Sequence, residues 1–352
     1  MRRGCVMRKS LRAKYKKARI ERKRQERKLQ DSYQYSYDKA FTFRHFVMSL
    51  KKCMCDVRGK GSAQRYYLNC IAKLYKDFTV LSARRLPRFS SGKEIGICER
   101  GKKRIITPIH IKDRIIQKVL CDHILVPVLS KKLIYDNGAC IKGKGVSFSR
   151  RRVKEHLLKA IREYGTDFYV LCFDFKDFFN SVPHKTCREV LEKYLAEEDA
   201  VDITMRIINQ PYAAMKRETD RGMTLGSQVS QIMALIIANS LDHLLKDVLR
   251  VKHYLRHMDD GILFARTKDE LLEILKKISA HCGKIGLVIN QRKTKIVKAS
   301  HGFTFLKIKY NILKSGKILR RLCTCRNRAD AQKIQEALKE AHIRRTAVSV
   351  RL

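Results

Sequence analysis

Apolar positions along this chain switch repeatedly between a period near 3.6 and a period of two. From Tyr37 to about Leu81, in "FTFRHFVMSL" and "YYLNCIAKLYKDF", they recur at helical spacing and predict two helices. "RFSSGKEIGICERGKKRIITPI" then alternates around glycines as a hairpin does, before "IKDRIIQKVLCDHILVPVL" returns to the helical period. Further on, "DFYVLCFDFKDFF" (167–179) reads as a buried strand running into a polar, aromatic turn. "SQVSQIMALIIANSLDHLLKDVL" (227–249) is a long helix, "HYLRHMDDGILFA" a strand pair, and "DELLEILKKISAHCGKIGLVIN" a helix followed by a strand. The order strand, helix, hairpin, helix, strand predicts an α+β fold whose antiparallel sheet is backed by helices on one face. One more helix, "ADAQKIQEALKEAHI", is expected near the end, and no repeat or long Pro/Ser-rich linker interrupts the chain.

Charge narrows the class. The chain has 352 residues, 44% of them hydrophobic, which supports a substantial core and excludes a disordered protein. Lys and Arg number 78 against 34 Asp and Glu, a formal charge of +44 that repels itself until a polyanion neutralises it. Nucleic acid is the expected partner. Residues 1–30 are the most basic stretch and read as an arm for a phosphate backbone, with a solvated tail as the alternative. No apolar run is long enough to span a bilayer, and the basic start is not followed by the apolar stretch of a secretory signal. A cytoplasmic protein without a membrane partner is expected. Among the twelve cysteines only Cys53/Cys55 and Cys323/Cys325 are close together, and no CxxC pair exists. They are read as reduced apolar fillers rather than zinc ligands.

Against that charge, Asp259 and Asp260 stand inside an apolar run, where an unpaired buried carboxylate costs several kcal/mol. A tight turn followed by Gly261 is one explanation. A metal ion is the other. Asp174 ends a second apolar strand, so if the two elements are neighbours three carboxylates converge. Oxygen ligands on a rigid scaffold suit Mg²⁺. Two such ions ~3.5–4 Å apart would lower the pKa of an attacking hydroxyl and stabilise leaving pyrophosphate.

These segments resemble, in order, the motifs of reverse transcriptases. "FDFKDFFNSV" looks like motif A with Asp174 as its first Asp. "GMTLGSQVSQ" looks like motif B, and "HMDD" like the Tyr-x-Asp-Asp of motif C with His257 in place of Tyr. "GLVINQRKTKI" is similar to motif D and "HGFTFLKIKY" to motif E, with Lys307 where Gly is usual. "GKKRIITPIHIKDRIIQ" and "YDNGACIKGKG" resemble fingers motifs of prokaryotic retroelement enzymes. The resemblance implies a right-hand polymerase. Its parts would be a basic arm (1–36), fingers (37–165), a palm (166–310, with 186–220 packing on the fingers) and a short thumb (311–352). No endonuclease or RNase H motif accompanies them.

By the same resemblance Asp174 and Asp259 hold two Mg²⁺ (or Mn²⁺), with Phe175 beside them and Asp260 as ligand or supporting charge. Phe179 stands at the position whose ring excludes a 2′-hydroxyl, while Phe178 is read as core. Leu225, Gly226 and Gln231 would line the nucleotide site, although Ser230 and Gln231 could simply cap a helix. Lys103 and Arg104 would cover the triphosphate, and Lys293 would protonate pyrophosphate or merely face phosphate. His257 would stack under the primer end or serve as packing, and Arg114 would pair with Asp113 or the template. Leu225 replaces the Gln of many reverse transcriptases, a variant that looks like the diversity-generating retroelement group and should relax nucleotide selection. The implied partners are an RNA template, a DNA or RNA primer and dNTPs, with a small basic accessory protein or a dedicated non-coding RNA. The alternatives are a defence-associated reverse transcriptase (antiviral defence) and, in another class, a catalytically weak RNA-binding protein.

Overall fold

The computed structural model describes residues 2–55, 57–90, 95–99, 102–106, 108–214 and 219–323. Helices α1 (Arg2–Gln34), α2 (Tyr37–Ala40), α3 (Phe43–Met54), α4 (Gly61–Tyr67) and α5 (Cys70–Ser82) lead into the hairpin of β1 (Ile95–Glu99) and β2 (Lys102–Ile106). The two helices expected over 37–81 are therefore four. Thr42 starts α3 afresh by accepting the His45 amide at 3.4 Å, and the non-helical backbone of Asn69 separates α4 from α5. Next come α6 (Ile111–Leu120) and α7 (Val126–Leu129), joined by a π-helical turn over Cys121–Leu125. Pro127, which has no N–H to give, sits in the first turn of α7, where the wider turn accommodates it.

The second half contains α8 (Val146–Tyr164), β3 (Tyr169–Asp174), α9 (Phe178–Ser181), α10 (His184–Tyr194), α11 (Glu198–Ala214) and α12 (Gln228–His243). After these follow β4 (Tyr254–His257), β5 (Asp260–Ala265), α13 (Lys268–Lys284), β6 (Lys295–Lys298), β7 (Phe303–Phe305), β8 (Ile308–Ile312) and β9 (Ile318–Leu322). Helix α13 is specified locally. Thr267 accepts the Glu270 amide, acids fill the first turn, and Gly286 takes φ 75 just past the end.

The central sheet has the order β4-β5-β3-β6 and is antiparallel throughout. Both of its faces are covered, not one. Leu171, Phe173, Tyr254, Leu263 and Ala265 join a core with α12 and α13. Their alternates Val170, Leu255, Ile262 and Phe264 pack on Val153, Leu157 and Ala160 of α8 and on Phe303, Phe305 and Tyr310 of the small sheet β7-β8-β9. The unbroken apolar run of β3 is the signature of a strand buried on both sides. On the first face, α11 packs against α6 as well as α10 and α12.

"GLVIN" is not a strand, contrary to expectation. Ile289 makes a single bridge to Phe175, and the Asn290 carbonyl then takes the Lys293 and Thr294 amides, turning the chain before it pairs again at Lys295. Gly261 is not a turn residue either. It lies in β5 opposite Phe173, and a Cβ there would fall 2.1 Å from the Phe173 ring, so only glycine fits. Cys121, Cys187 and Cys282 are buried free thiols, and Cys53 and Cys55 are free as well. No helix among the described residues is long and apolar enough to cross a membrane. The helix expected in 329–343 and Cys325 lie outside the described residues.

Candidate active site

Antiparallel register brings the acids together. Asp174, the last residue of β3, pairs directly with Asp260, the first of β5. Asp260 also pairs with His257 at the end of β4, leaving Met258 and Asp259 as a two-residue turn. Asp174 is 5% exposed, and its carboxylate accepts from Lys293 Nζ at 2.6 Å and Asn290 Nδ2 at 3.2 Å. The Asn290 amide also donates to the Asp174 carbonyl at 2.8 Å, which ties the segment after α13 to the strand end. The hydrogen bond to Asp174 holds the Lys293 ammonium above its ordinary pKa, against the opposing effect of burial, and the fields of Asp174, Asp259 and Asp260 add to it. One lysine therefore answers three carboxylates.

What fixes the turn is a residue the sequence reading passed over. Arg256 is fully buried and forks onto the equally buried Asp242 of α12, with Nε–Oδ1 at 2.8 Å and Nη2–Oδ2 at 2.6 Å. Tyr254 donates its hydroxyl to Asp242 Oδ1 at 2.7 Å. Nη1 of Arg256 then reaches forward to the Met258 carbonyl at 2.7 Å. Met258 has φ 60, a left-handed backbone that non-glycine residues adopt at a cost, so this brace secures the conformation that presents Asp259. A signal was available. Arg256 interrupts an apolar strand as oddly as Asp259 does, and Asp242 interrupts the apolar helix α12.

The other edge of β4 is closed by the "YDNG" segment. Gly138 donates to the Arg256 carbonyl at 3.1 Å and the Arg256 amide donates to the Asp136 carbonyl at 3.1 Å. A Cβ on Gly138 would lie 1.9 Å from Ser149 Oγ. That hydroxyl is 2.9 Å from His257 Nδ1, so the histidine ring is anchored from α8. Burial, and next the Arg256 charge, push the His257 pKa down. Motif E shows why glycine would suit position 307. Leu306 and Lys307 form the tight β7–β8 turn with φ 46 and 63, both left-handed.

The remaining expected residues divide. Phe175 is 2% exposed and stacks on Phe178 at 4.9 Å, so only its backbone could face a metal or substrate. Phe178 is core, as expected, and sits in the helical turn α9. Phe179 is half-buried, and its carbonyl accepts the Met223 amide at 2.7 Å, which joins motif A to motif B. Leu225 is half-buried in the following turn, beside the exposed Gly226 at φ 94. The cap of α12 is Ser227, which accepts the Ser230 amide and donates to Gln117 at 3.0 Å; Gln231 sits half-buried one residue on. Lys103 and Arg104 occupy β2 opposite Cys98 and Ile97, and their side chains lie outside the described residues. Asp113 does not serve Arg114: it is buried and accepts the Ser90 amide at 2.9 Å.

The donor set, three carboxylates and a backbone carbonyl with no nitrogen or sulfur, suits a hard divalent cation. Among the described residues no three His, Cys, Asp or Glu side chains already form a metal cage, and Asp174 is engaged by Lys293 instead.

An antiparallel sheet that carries one acid at the end of its central strand and two more at the adjoining hairpin turn, backed by helices, is a polymerase palm. The chain belongs to the reverse transcriptase (RNA-dependent DNA polymerase) family, whose model matches residues 91–310, and that family generally works with divalent metal ions. In structure it is similar to apo telomerase from Candida tropicalis truncated from the C-terminal domain, with TM-score 0.50 and 16% identity over 67% of this chain and 56% of that one. It is also similar to telomerase from Candida tropicalis in complex with the TWJ fragment of telomeric RNA, with TM-score 0.51 and 16% identity over 70% of this chain and 48% of that one. The chain thus spans about half the length of these proteins, and the likeness is one of fold. None of the curated proteins matches it in sequence.

Proposed function

We propose that this chain copies an RNA template into DNA by extending a primer with deoxynucleotides, and that it does so within a prokaryotic retroelement of the diversity-generating type. The observation that carries the reading is the direct pairing of Asp174 with Asp260, with Asp259 in the adjoining turn and Lys293 on Asp174. Asp174, Asp259, Asp260 and the Phe175 carbonyl would hold two Mg²⁺, or Mn²⁺, which when bound activate the primer hydroxyl and neutralise charge on the transferring phosphate. Lys293 is protonated at neutral pH and supplies a proton to leaving pyrophosphate. Lys103 and Arg104 of the β1–β2 hairpin cover the triphosphate.

Phe179 and the turn containing Leu225 and Gly226 are joined through the Met223 amide, so sugar exclusion and nucleotide selection belong to one surface. Gln231 stands behind that surface. The ring of Phe179 excludes the 2′-hydroxyl, and Leu225 offers no amide with which to read the sugar edge, the feature that supports the diversity-generating assignment. The test is Asp259→Asn in a primer-extension assay with Mg²⁺. Extension should be abolished, while RNA affinity, which comes from distributed Lys and Arg, stays within about twofold. Extension at the parent's rate would remove the two-metal assignment.

A further inference from the structure

A second cluster of charge lies away from the acids, where the C-terminal half of α1 rests on the body. A cavity of about 350 Å³ opens there, lined by Lys23, Arg24, Arg27 and Lys28 from α1, by Lys132 from the turn after α7 and by Lys193 from the end of α10. Ile20 and Tyr194 also line it, and among the described residues no carboxylate does. Residues 20, 23, 24, 27 and 28 recur at helical spacing and form one face of α1. A helix face turned toward the body is ordinarily apolar, because burial of that face is what docks it. Here the face is cationic, and the wall opposite supplies two more cations.

The cations are also positioned. Arg24 lies over the Tyr194 ring at 5.8 Å and Lys193 over the same ring at 5.1 Å. Lys28 donates to the Glu192 carbonyl at 2.7 Å, which fixes its stem without neutralising it. The Lys132 carbonyl accepts Asn239 at 2.9 Å and His243 at 3.1 Å, so this wall is continuous with α12. Two acids stand at its margin: Glu21 pairs with Arg24 at 3.5 Å, and Asp31 is shared between Lys131 and Lys132, which leaves Lys23, Arg27, Lys28 and Lys193 without an ion pair among the described residues. Like charges that face each other across a cleft repel, and an anion between them relieves that repulsion.

We propose that this cleft is a second RNA site, which grips phosphates of the template RNA outside the segment being copied. The choice of RNA over other polyanions rests on the RNA-dependent polymerase reading. Along α1 the sequence carries fourteen Lys and Arg against three acids, so the cleft belongs to a strongly basic stretch of the chain. Contacts here are to the backbone and carry no base specificity.

The test compares the full chain with a Lys23→Gln/Arg27→Gln/Lys193→Gln variant. Fluorescence anisotropy measures affinity for a long labelled RNA across salt concentrations, and primer extension uses a minimal primer–template. Removing three phosphate contacts should reduce the slope of log affinity against log salt by about 2 and weaken binding roughly tenfold or more near 0.15 M salt. Extension on the minimal substrate should be unchanged. Lys→Arg and Arg→Lys replacements at the same three positions should restore slope and affinity, which a folding defect would not allow. An unchanged slope overturns the proposal, and so does a variant that keeps its RNA affinity and loses only its binding to anionic lipid vesicles in a parallel co-sedimentation assay. If instead the parent fails to extend any primer, the polymerase reading falls, while the slope still reports on the cleft.

Discussion

The Arg256–Asp242 pair separates what stabilises this fold from what aims its chemistry. Both side chains are fully buried, so Asp242→Asn leaves a guanidinium with no counter-charge in the core. Breaking one partner of such a pair costs about 3–5 kcal/mol, roughly a thousandfold in the folded-to-unfolded ratio at mid-range. Arg256→Met should cost about as much, because it strands the Asp242 carboxylate with only the Tyr254 hydroxyl. The double variant Asp242→Leu/Arg256→Met has neither charge and should recover most of the loss. It should remain about 1–3 kcal/mol below the parent because the Tyr254 hydroxyl is left without its acceptor. Urea unfolding of the four proteins gives the coupling energy directly. Polymerisation should not recover with stability, since the double variant still lacks the hydrogen bond from Arg256 to the Met258 carbonyl. Expected is a fall in kcat of at least tenfold with KM for the nucleotide little changed. Additive stability losses would show that the pair is not coupled. A double variant as fast as the parent would show that the Met258 turn needs no brace.

Three further outcomes are expected. Phe179→Ala should admit ribonucleotides with a modest loss of deoxynucleotide use; discrimination as sharp as the parent's in single-nucleotide extension would make the ring packing alone. Leu225→Gln should lower misincorporation on a defined RNA template, because a polar readout discriminates better than an apolar wall worth ~1–3 kcal/mol, and an unchanged error spectrum in sequenced products would favour a defence role over diversification. Burial pushes the Asp113 pKa up to about 6, only partly offset by the Ser90 amide. Its contribution is therefore fully present below the unfolded value near 4 and is lost as pH rises through 6. Urea titrations should show Asp113→Asn gaining on the parent by up to ~3 kcal/mol between pH 4 and pH 8, and a constant difference would mean that Asp113 ionises normally.

Much of this was legible in the chain because the signals were local. The apolar run of 167–174 announced a buried strand, and the helical period of "DELLEILKKISAHCGK" announced the helix that became α13. The acids were conspicuous because they violate the pattern around them. What escaped was settled by contacts across the fold. That β3 is covered on both faces depends on residues 303–312 returning to the sheet, and periodicity carries no such address. The role of Gly261 depends on Phe173, some ninety residues earlier, so in the sequence it passed for a turn glycine. Arg256 was read past for a different reason. In a chain with 78 Lys and Arg one more cation is no anomaly, and only burial distinguishes it from the others.

That distinction also answers why the acids tolerate their setting. Asp259 and Asp260 are half-buried at the rim of the sheet, whereas Arg256, one pair further in, is sealed. Two ion pairs of opposite character thus flank the turn that carries Asp259. The inner one is solvent-free on both sides and cannot be exchanged without unfolding its surroundings. The outer one joins Asp174 to a Lys293 side chain that is 56% exposed, so it contributes at most about 1 kcal/mol and is weakened by salt. In the proposed metal-bound state a contact that weak would give way to a divalent cation drawn by three carboxylates. Geometry is therefore entrusted to the buried pair and charge to the exchangeable one, which lets the carboxylates change partners without the turn that carries Asp259 changing shape.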